Sequence, residues 1–291
     1  MRTNPLLMIQ TRYTARPLHK QFVLSLTKNH WVGTKADFAV AIHGPASKSG
    51  EDFKLIHASQ RQNQCQHILD LCDCTNERLP YFLRRVLDWG ISLGYPYIGV
   101  FDDDARYVKP ATTAEKYCMA FDSDHKCGGV GPMGNLRKNW RYRLDEGRDP
   151  NFVEPLERCP WACLGSQIYR SEALQSIDLG FLDDLKFRAD AIIAMLLVGK
   201  GWGNYEMDIP FDHIVSAGLD GNYEGDIQAR IEFHKRRIEQ VGHDYAIYRR
   251  ELTSQIGQGF VQRVAPDLVR LETSERKHNE KKLRLAQGWS A

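Results

Sequence analysis

The chain has 291 residues, of which 42% are hydrophobic and 26% charged, with a formal net charge of +2 at neutral pH. That composition is ordinary for a globular protein and supplies one large α/β domain, or one domain with a small extension, whose core needs no covalent staples. A surplus of two charges excludes a strongly polycationic binder of polyanions, and seven irregularly spaced cysteines (Cys65, Cys72, Cys74, Cys118, Cys127, Cys159 and Cys163) argue against a secreted disulfide framework.

In chain order, Leu6 to Ile9 reads as a buried first strand, and four apolar residues are too few for the core of a signal peptide. Phe38 to Ile42 and Phe53 to Ile56 read as short strands bounded by turn residues, and Gln62 to Leu71 as a helix. Cys65, His67, Cys72 and Cys74 match no common zinc spacing and read as reduced thiols on that helix and its following loop. Leu79, Phe82, Leu83, Val86, Leu87 and Ile91 recur at helical spacing, with Pro80 in the first turn and Gly94 and Pro96 ending the pattern. Tyr97 to Phe101 is then an apolar strand that stops at three aspartates. Ala111 to Phe121 reads as a helix, Gly128 to Pro132 and Gln167 to Tyr169 as strands, and Ala191 to Val198 as a buried helix stopped by Gly199-Lys200-Gly201. This last segment is the longest apolar run and is far below a membrane span, so a soluble, intracellular protein without an integral span is expected.

Alternating helices and strands imply a layered, mainly parallel α/β sheet over residues 1–225. From Asp226 the pattern changes to a helical extension, one long amphipathic helix or two short ones, with Ile227, Ile231, His234, Ile238, Val241, Tyr245, Tyr248 and Leu252 along one stripe. His234 on that stripe is read as a core or boundary histidine. The segment 226–291 holds thirteen Lys/Arg against nine Asp/Glu, so it is mildly basic while the first 225 residues sum to −2. Thr273 to Arg284 is read as a solvated helix or frayed tail.

The chemistry centres on Asp102-Asp103-Asp104. Ligands of open α/β sheets bind beyond the carboxyl ends of the strands. Three adjacent carboxylates repel one another unless a cation neutralises them, and hard oxygen donors suit Mg2+ or Mn2+. Asp102 and Asp104 face one side of an extended backbone and are the expected metal ligands; Asp103 faces the other way, toward a sugar or ribose hydroxyl. Aspartates that merely build a turn or cap a helix would look the same locally. Arg137-Lys138-Asn139-Trp140-Arg141-Tyr142-Arg143 interleaves four basic groups with two aromatics, a composition suited to a nucleic-acid backbone and unstacked bases, or to a surface hairpin.

Helix, apolar strand, Asp-x-Asp and Ala105-Arg106-Tyr107-Val108 together resemble the nucleotide-diphospho-sugar transferases of the GT-A fold, a Rossmann-like layered architecture. The resemblance covers roughly residues 6 to 225, and the order of the motifs carries it more than any one of them. It implies that Thr11 and Arg12 hold the nucleotide with Asp102 and Asp103. It implies that Arg61, in Ser59-Gln60-Arg61-Gln62-Asn63 before a helix, touches the base or diphosphate. Gly165 to Arg170 would be the acceptor-side strand, and Asp190 the base that takes the acceptor proton, unless it simply caps the helix it opens; Asp183 and Asp184 are its rivals. His213 would be a late metal ligand. The family's usual Glu-Asp pair is Ala189-Asp190 here. Compact size and the basic-aromatic segment make the chain similar to the DNA glycosyltransferases associated with base J and with phage pyrimidine dioxygenases. The reading is therefore transfer from a nucleotide-diphosphate sugar, a UDP-sugar by expectation, to a hydroxyl, with a 5-hydroxymethylpyrimidine in DNA as the favoured acceptor. A glycan or lipid-linked saccharide is the alternative acceptor, and a metal-dependent phosphotransfer enzyme or nuclease, or a non-catalytic DNA-binding module, are the rival classes.

Overall fold

The computed structural model describes residues 4–14, 18, 20–28, 31–44, 50–72, 79–103, 105–132, 154–155, 166–187, 189–207, 209, 211–213 and 227–288. The elements that build the main sheet are β1 (Leu6–Tyr13), α1 (Lys20–Lys28), β2 (Ala36–His43), α2 (Glu51–Arg61), β3 (His67–Leu71), α3 (Leu79–Ser92) and β4 (Tyr97–Phe101). After β5 (Ala105–Tyr107) come α4 (Pro110–Ser123), β6 (Cys127–Pro132), β7 (Glu154–Pro155), β8 (Ser166–Arg170) and the short α5 (Ser171–Gln175). A 3-10 turn at Gly180–Asp183 leads to α6 (Ala189–Gly199), β9 (Gly203–Met207), β10 (Phe211–His213), and the two long helices α7 (Ile227–Gln255) and α8 (Gln258–Ala286).

Eight strands form one sheet in the order β3-β2-β1-β4-β8-β6-β9-β7, and β5 pairs with β10 in a separate ribbon. Strands β3, β2, β1 and β4 are mutually parallel, as are β6 and β9; β8 opposes both its neighbours and β7 opposes β9. Six strands therefore point one way, which is the mainly parallel, layered sheet expected. β1 is central because its first five residues are all buried. Side chains alternate across a strand. Leu7 and Ile9 accordingly join the core under α3, α6, α7 and α8, and Leu6 and Met8 join the one under α1, α2 and α4. Gly99 in β4 lets these layers close up: a Cβ there would sit 2.5 Å from the Met8 sulfur, so the Met8 side chain would have to shift. α6 is apolar nearly all round, with Ala191 to Leu197 buried, because it is sandwiched between the sheet and α7.

Two expectations are corrected. Phe53 to Ile56 belongs to a helix, not a strand: Phe53, Ile56 and Ser59 recur at helical spacing and are its buried face. Residues 62–71 are not a helix; a turn with Asn63 in the left-handed region (φ 56°) leads into β3. Cys65 and Cys72 therefore flank a strand, both as buried free thiols, and burial pushes Cys65 up to about 12. Of the two readings of 273–284 the helix holds: the stretch is part of α8, mostly solvated but with Glu275 and Asn279 buried. His234 is buried beside Asn279 (Nδ1 to Oδ1 3.1 Å), as a core position requires. Among the described residues no helix is long and apolar enough to cross a membrane.

Candidate functional site

The carboxyl ends of β1, β2 and β4 lie on one edge of the sheet, and the antiparallel β8 brings its first residue there too, Ser166 in register with Phe101. The aspartates follow Phe101 at that edge. The chain turns at once, with the Ala105 amide donating to the Asp102 carbonyl (3.2 Å). Gln10, fully buried within β1, holds this turn from below: its Nε2 donates to the carbonyls of Ala105 (2.8 Å) and Asp102 (3.3 Å). Asp102 itself is exposed, with Thr11 Oγ1 3.4 Å from its carboxylate.

Asp103 faces inward. Its Oδ2 accepts from the Arg12 guanidinium at 2.9 Å, and Arg12 also pairs with Asp52 in the first turn of α2 at 2.8 Å. Arg12 is 1% exposed and Asp103 5%. Arg12, expected at the phosphate, and Asp103, expected at a sugar hydroxyl, are thus placed inside the protein and paired with each other. A buried cation between two carboxylates ties β1, α2 and the aspartate turn together, and removing Arg12 would leave two carboxylates without a cation in low dielectric.

The ribbon of β5 and β10 completes the edge. Its register sets His213 opposite Ala105 and Asp212 opposite Arg106, so the chain returns to the residue directly after Asp104. The side chain of His213, like all of Asp104, lies outside the described residues. Among the described residues no group of three His, Cys, Asp or Glu side chains is gathered as a metal site; of the expected ligands the described part is the exposed Asp102 and the backbone of His213 opposite Ala105.

Asp190 sits in the first turn of α6. α6 leads back into β9 at its starting end, Asn204 donating to the Ala194 carbonyl (2.9 Å), so the opening of α6 faces the same sheet edge as Asp102. The loop before it is fixed from α7: the buried Asp244 carboxylate accepts the amides of Lys186 (3.0 Å) and Phe187 (2.9 Å). Burial raises the Asp244 carboxyl above its ordinary 3.8, against the lowering effect of those amides. Asp184 is exposed and paired with Arg250 at 3.2 Å, and Asp183 pairs with Arg84.

Arg61 is placed elsewhere. It ends α2, whose beginning lies at Arg12; eleven helical residues carry it about 16 Å away, to the amino edge of the sheet. There Gln66 bonds both ways with the backbone of Phe38 near the start of β2. The misplacement follows from reading 53–56 as a strand, which put Arg61 at the start of a helix rather than its end. Arg137, Lys138, Trp140, Arg141 and Arg143 lie outside the described residues, as do Cys159 and Cys163. Sequence reading missed Gln10, Asp52 and Asp244. Gln10 had a signal, a polar side chain inside an unbroken buried strand.

No family model matches the sequence, and no curated protein matches it. Among solved structures, the whole chain superposes on 77% of the mannosyltransferase PcManGT from Pyrobaculum calidifontis, in complex with GDP-Man and Mn2+, with a TM-score of 0.56 at 12% identity. The S. aureus TarS fragment 1–349 matches 97% of this chain over 91% of its own (TM-score 0.46, 11% identity). Glucosyl-3-phosphoglycerate synthase from Mycobacterium tuberculosis, in complex with Mg2+ and uridine diphosphate, matches 72% over 71% (TM-score 0.43, 9% identity). The chain has the GT-A type of fold found in nucleotide-sugar glycosyltransferases, with a helical extension at its C-terminal end.

Proposed function

We propose that the protein is a divalent-metal-dependent glycosyltransferase that moves a sugar from a nucleotide-diphosphate sugar to a hydroxyl, its acceptor being a 5-hydroxymethylpyrimidine in DNA. The observation that carries the reading is the carboxyl-edge constellation: Asp102 exposed after β4, on a turn pinned by Gln10, with β10 in register so that His213 falls opposite Ala105. The fold of the Mn2+-containing mannosyltransferase agrees with it. In this reading residues 1–225 are the catalytic domain and 226–291 a basic helical arm.

Asp102, Asp104 and His213 would hold Mn2+ or Mg2+. When bound, that ion neutralises the charge that develops on the departing diphosphate. Thr11, beside Asp102, lines the donor site, while Arg12 and Asp103 hold the turn in shape from within. The acceptor approaches along the start of β8, and Asp190 at the opening of α6 takes the proton from its hydroxyl. Asp244 fixes the loop that presents Asp190 and so acts as a positioning residue. The basic-aromatic segment 137–143 supports the DNA acceptor by its composition; reaching a base in a duplex requires extruding it.

The test is a donor-hydrolysis screen over UDP-, GDP- and CDP-sugars with and without Mn2+, followed by transfer to duplex DNA carrying 5-hydroxymethylpyrimidine. A UDP-sugar turned over in Mn2+ and transferred to the modified duplex supports the whole reading. Turnover with transfer only to saccharides keeps the glycosyltransferase and removes DNA. Absence of turnover with every donor, alongside metal-dependent cleavage of phosphodiesters, overturns it.

A further inference from the structure

The hairpin of α7 and α8 carries a second feature that the site does not use. Its lower end is anchored at the amino edge of the sheet: the Gln255 amide group bonds the backbone of Asp178 in both directions, and Ile256 closes on Gly199 at the end of α6. Asp244, eleven residues earlier, reaches the loop that opens α6 at the carboxyl edge. Those residues span about 16 Å, the length of α6 itself, so the rest of α7, about 25 Å, continues past the edge where Asp102 lies. Phe187 follows it, its ring under the Arg237 guanidinium (3.6 Å) and against Phe233. α8 runs back alongside, tied by Arg237 to Glu275 (2.6 Å) and by His234 to Asn279.

The face of α8 turned away from α7 is a basic stripe. Its buried side is Val261, Val264, Leu268, Glu275 and Asn279. Directly opposite, Arg263, Arg270, Lys277 and Arg284 recur every seven residues, and Lys281 fills the gap one turn before Arg284; all five are exposed. Seven residues are nearly two full helical turns, so these groups stay on one line. Glu280 is the sole acid between Arg276 and the end of the helix. Arg270 pairs with Asp267, but among the described residues Lys277, Lys281 and Arg284 enter no ion pair. A solvated helix face ordinarily mixes charges of both signs at i,i+4 spacing.

We infer that this stripe is a docking surface for duplex DNA, which the arm holds beside the catalytic edge. The inference rests on the DNA-acceptor reading above and adds a surface to it. The stretch from Arg270 to Arg284 is one continuous helical run about 21 Å long, and so matches a polyanion with closely repeated phosphates, about six along one strand. An anionic membrane would ask for apolar side chains in the middle of the outward face. That middle holds the cations with Thr273 and Ser274, and the exposed Val269 and Leu285 lie on its two flanks.

The experiment is fluorescence anisotropy of a labelled 30-base-pair duplex with the full chain across a series of NaCl concentrations, for wild type and for Lys277→Gln/Lys281→Gln/Arg284→Gln. Each phosphate contact removed lowers the slope of log affinity against log salt by about 0.9, so a slope shallower by 2 to 3 is expected, with Mn2+-dependent donor hydrolysis unchanged. The conservative Lys277→Arg/Lys281→Arg variant keeps the wild-type slope, which separates charge from misfolding. Wild type that binds no duplex at low salt overturns the inference. So does a triple variant with the wild-type slope; in that case the acceptor reading stands and the contact lies elsewhere. Tighter binding to vesicles containing phosphatidylglycerol than to duplex overturns it in favour of a lipid surface. Donor hydrolysis lost in every form would instead break the catalytic reading, whatever the DNA result.

Discussion

The two edges of the main sheet both carry polar networks, half-buried at the amino edge and buried at the carboxyl edge, and they spend their carboxylates differently. At the amino edge, Asp37 is used up: Oδ1 accepts from Asn4 at 2.8 Å and Oδ2 from the Tyr95 hydroxyl at 2.5 Å. Tyr95 gives its proton to Asp37, so its oxygen accepts from His67 Nε2 at 2.8 Å, which fixes the tautomer of that histidine. The network seals the bottom of β2, β3 and β4. At the carboxyl edge, Asp103 is consumed in the same way by Arg12, but its neighbour Asp102 is left on the outside of the turn. Identical chemistry is thus enclosed where the lone pairs are satisfied inside the fold, and solvent-exposed where the backbone turns a carboxylate outward.

The comparison breaks first at Arg12. Replacing it in Arg12→Met leaves Asp52 and Asp103 facing each other without a cation, and a loss of about 3–5 kcal/mol is expected by urea unfolding. A loss below about 1 kcal/mol would mean that the clamp is solvated. Asp102→Asn should do the reverse. The exposed side chain contributes little to stability, within about 0.5 kcal/mol, while donor turnover in Mn2+ falls at least about 100-fold. Gln10→Leu lies between the two edges in character. It removes both bonds to the turn and leaves two carbonyls short of a donor, so about 1–3 kcal/mol is lost, and the Mn2+ concentration needed for half-maximal turnover rises. Tyr95→Phe, the matching change at the amino edge, costs a similar or smaller amount of stability and leaves that Mn2+ requirement untouched.

The smallest effect is a pH dependence at Asp244. Its folded carboxyl is raised by burial above 3.8. A raised acid binds protons more readily in the folded state. Its contribution to stability is therefore fully present below pH 3.8 and is lost as pH rises through the folded value. Asp244→Asn should flatten that part of the stability profile measured by thermal unfolding between pH 3 and 7. An unchanged profile would mean that solvent reaches the carboxylate.

What could be read from the chain follows the length of the signals. β4 was legible because an apolar run ended abruptly at three carboxylates, and α3 because six apolar residues held a helical period. α6 was legible because eight successive apolar residues stopped at a glycine. The segment 51–71 was misread for a physical reason: α2 shows only Phe53, Ile56 and Ser59 to the core, and β3 is an edge strand whose side chains are only partly buried, so neither displays a clean period. That phase error moved Arg61 to the wrong edge. The pairing of β5 with β10 had no sequence signature, since three-residue strands have no measurable alternation and their register spans more than a hundred positions. The inward turn of Asp103 was equally hidden, because the alternation that predicts which way it points does not name Arg12 as what it meets.

The account rests on a divalent ion at Asp102. Isothermal titration of Mn2+ into the protein in the presence of UDP tests this most directly. The account predicts a saturable uptake of Mn2+ that requires the nucleotide and disappears in Asp102→Asn, while the variant unfolds at the wild-type temperature. The same uptake in both proteins, or none in either with every nucleoside diphosphate tried, would contradict it.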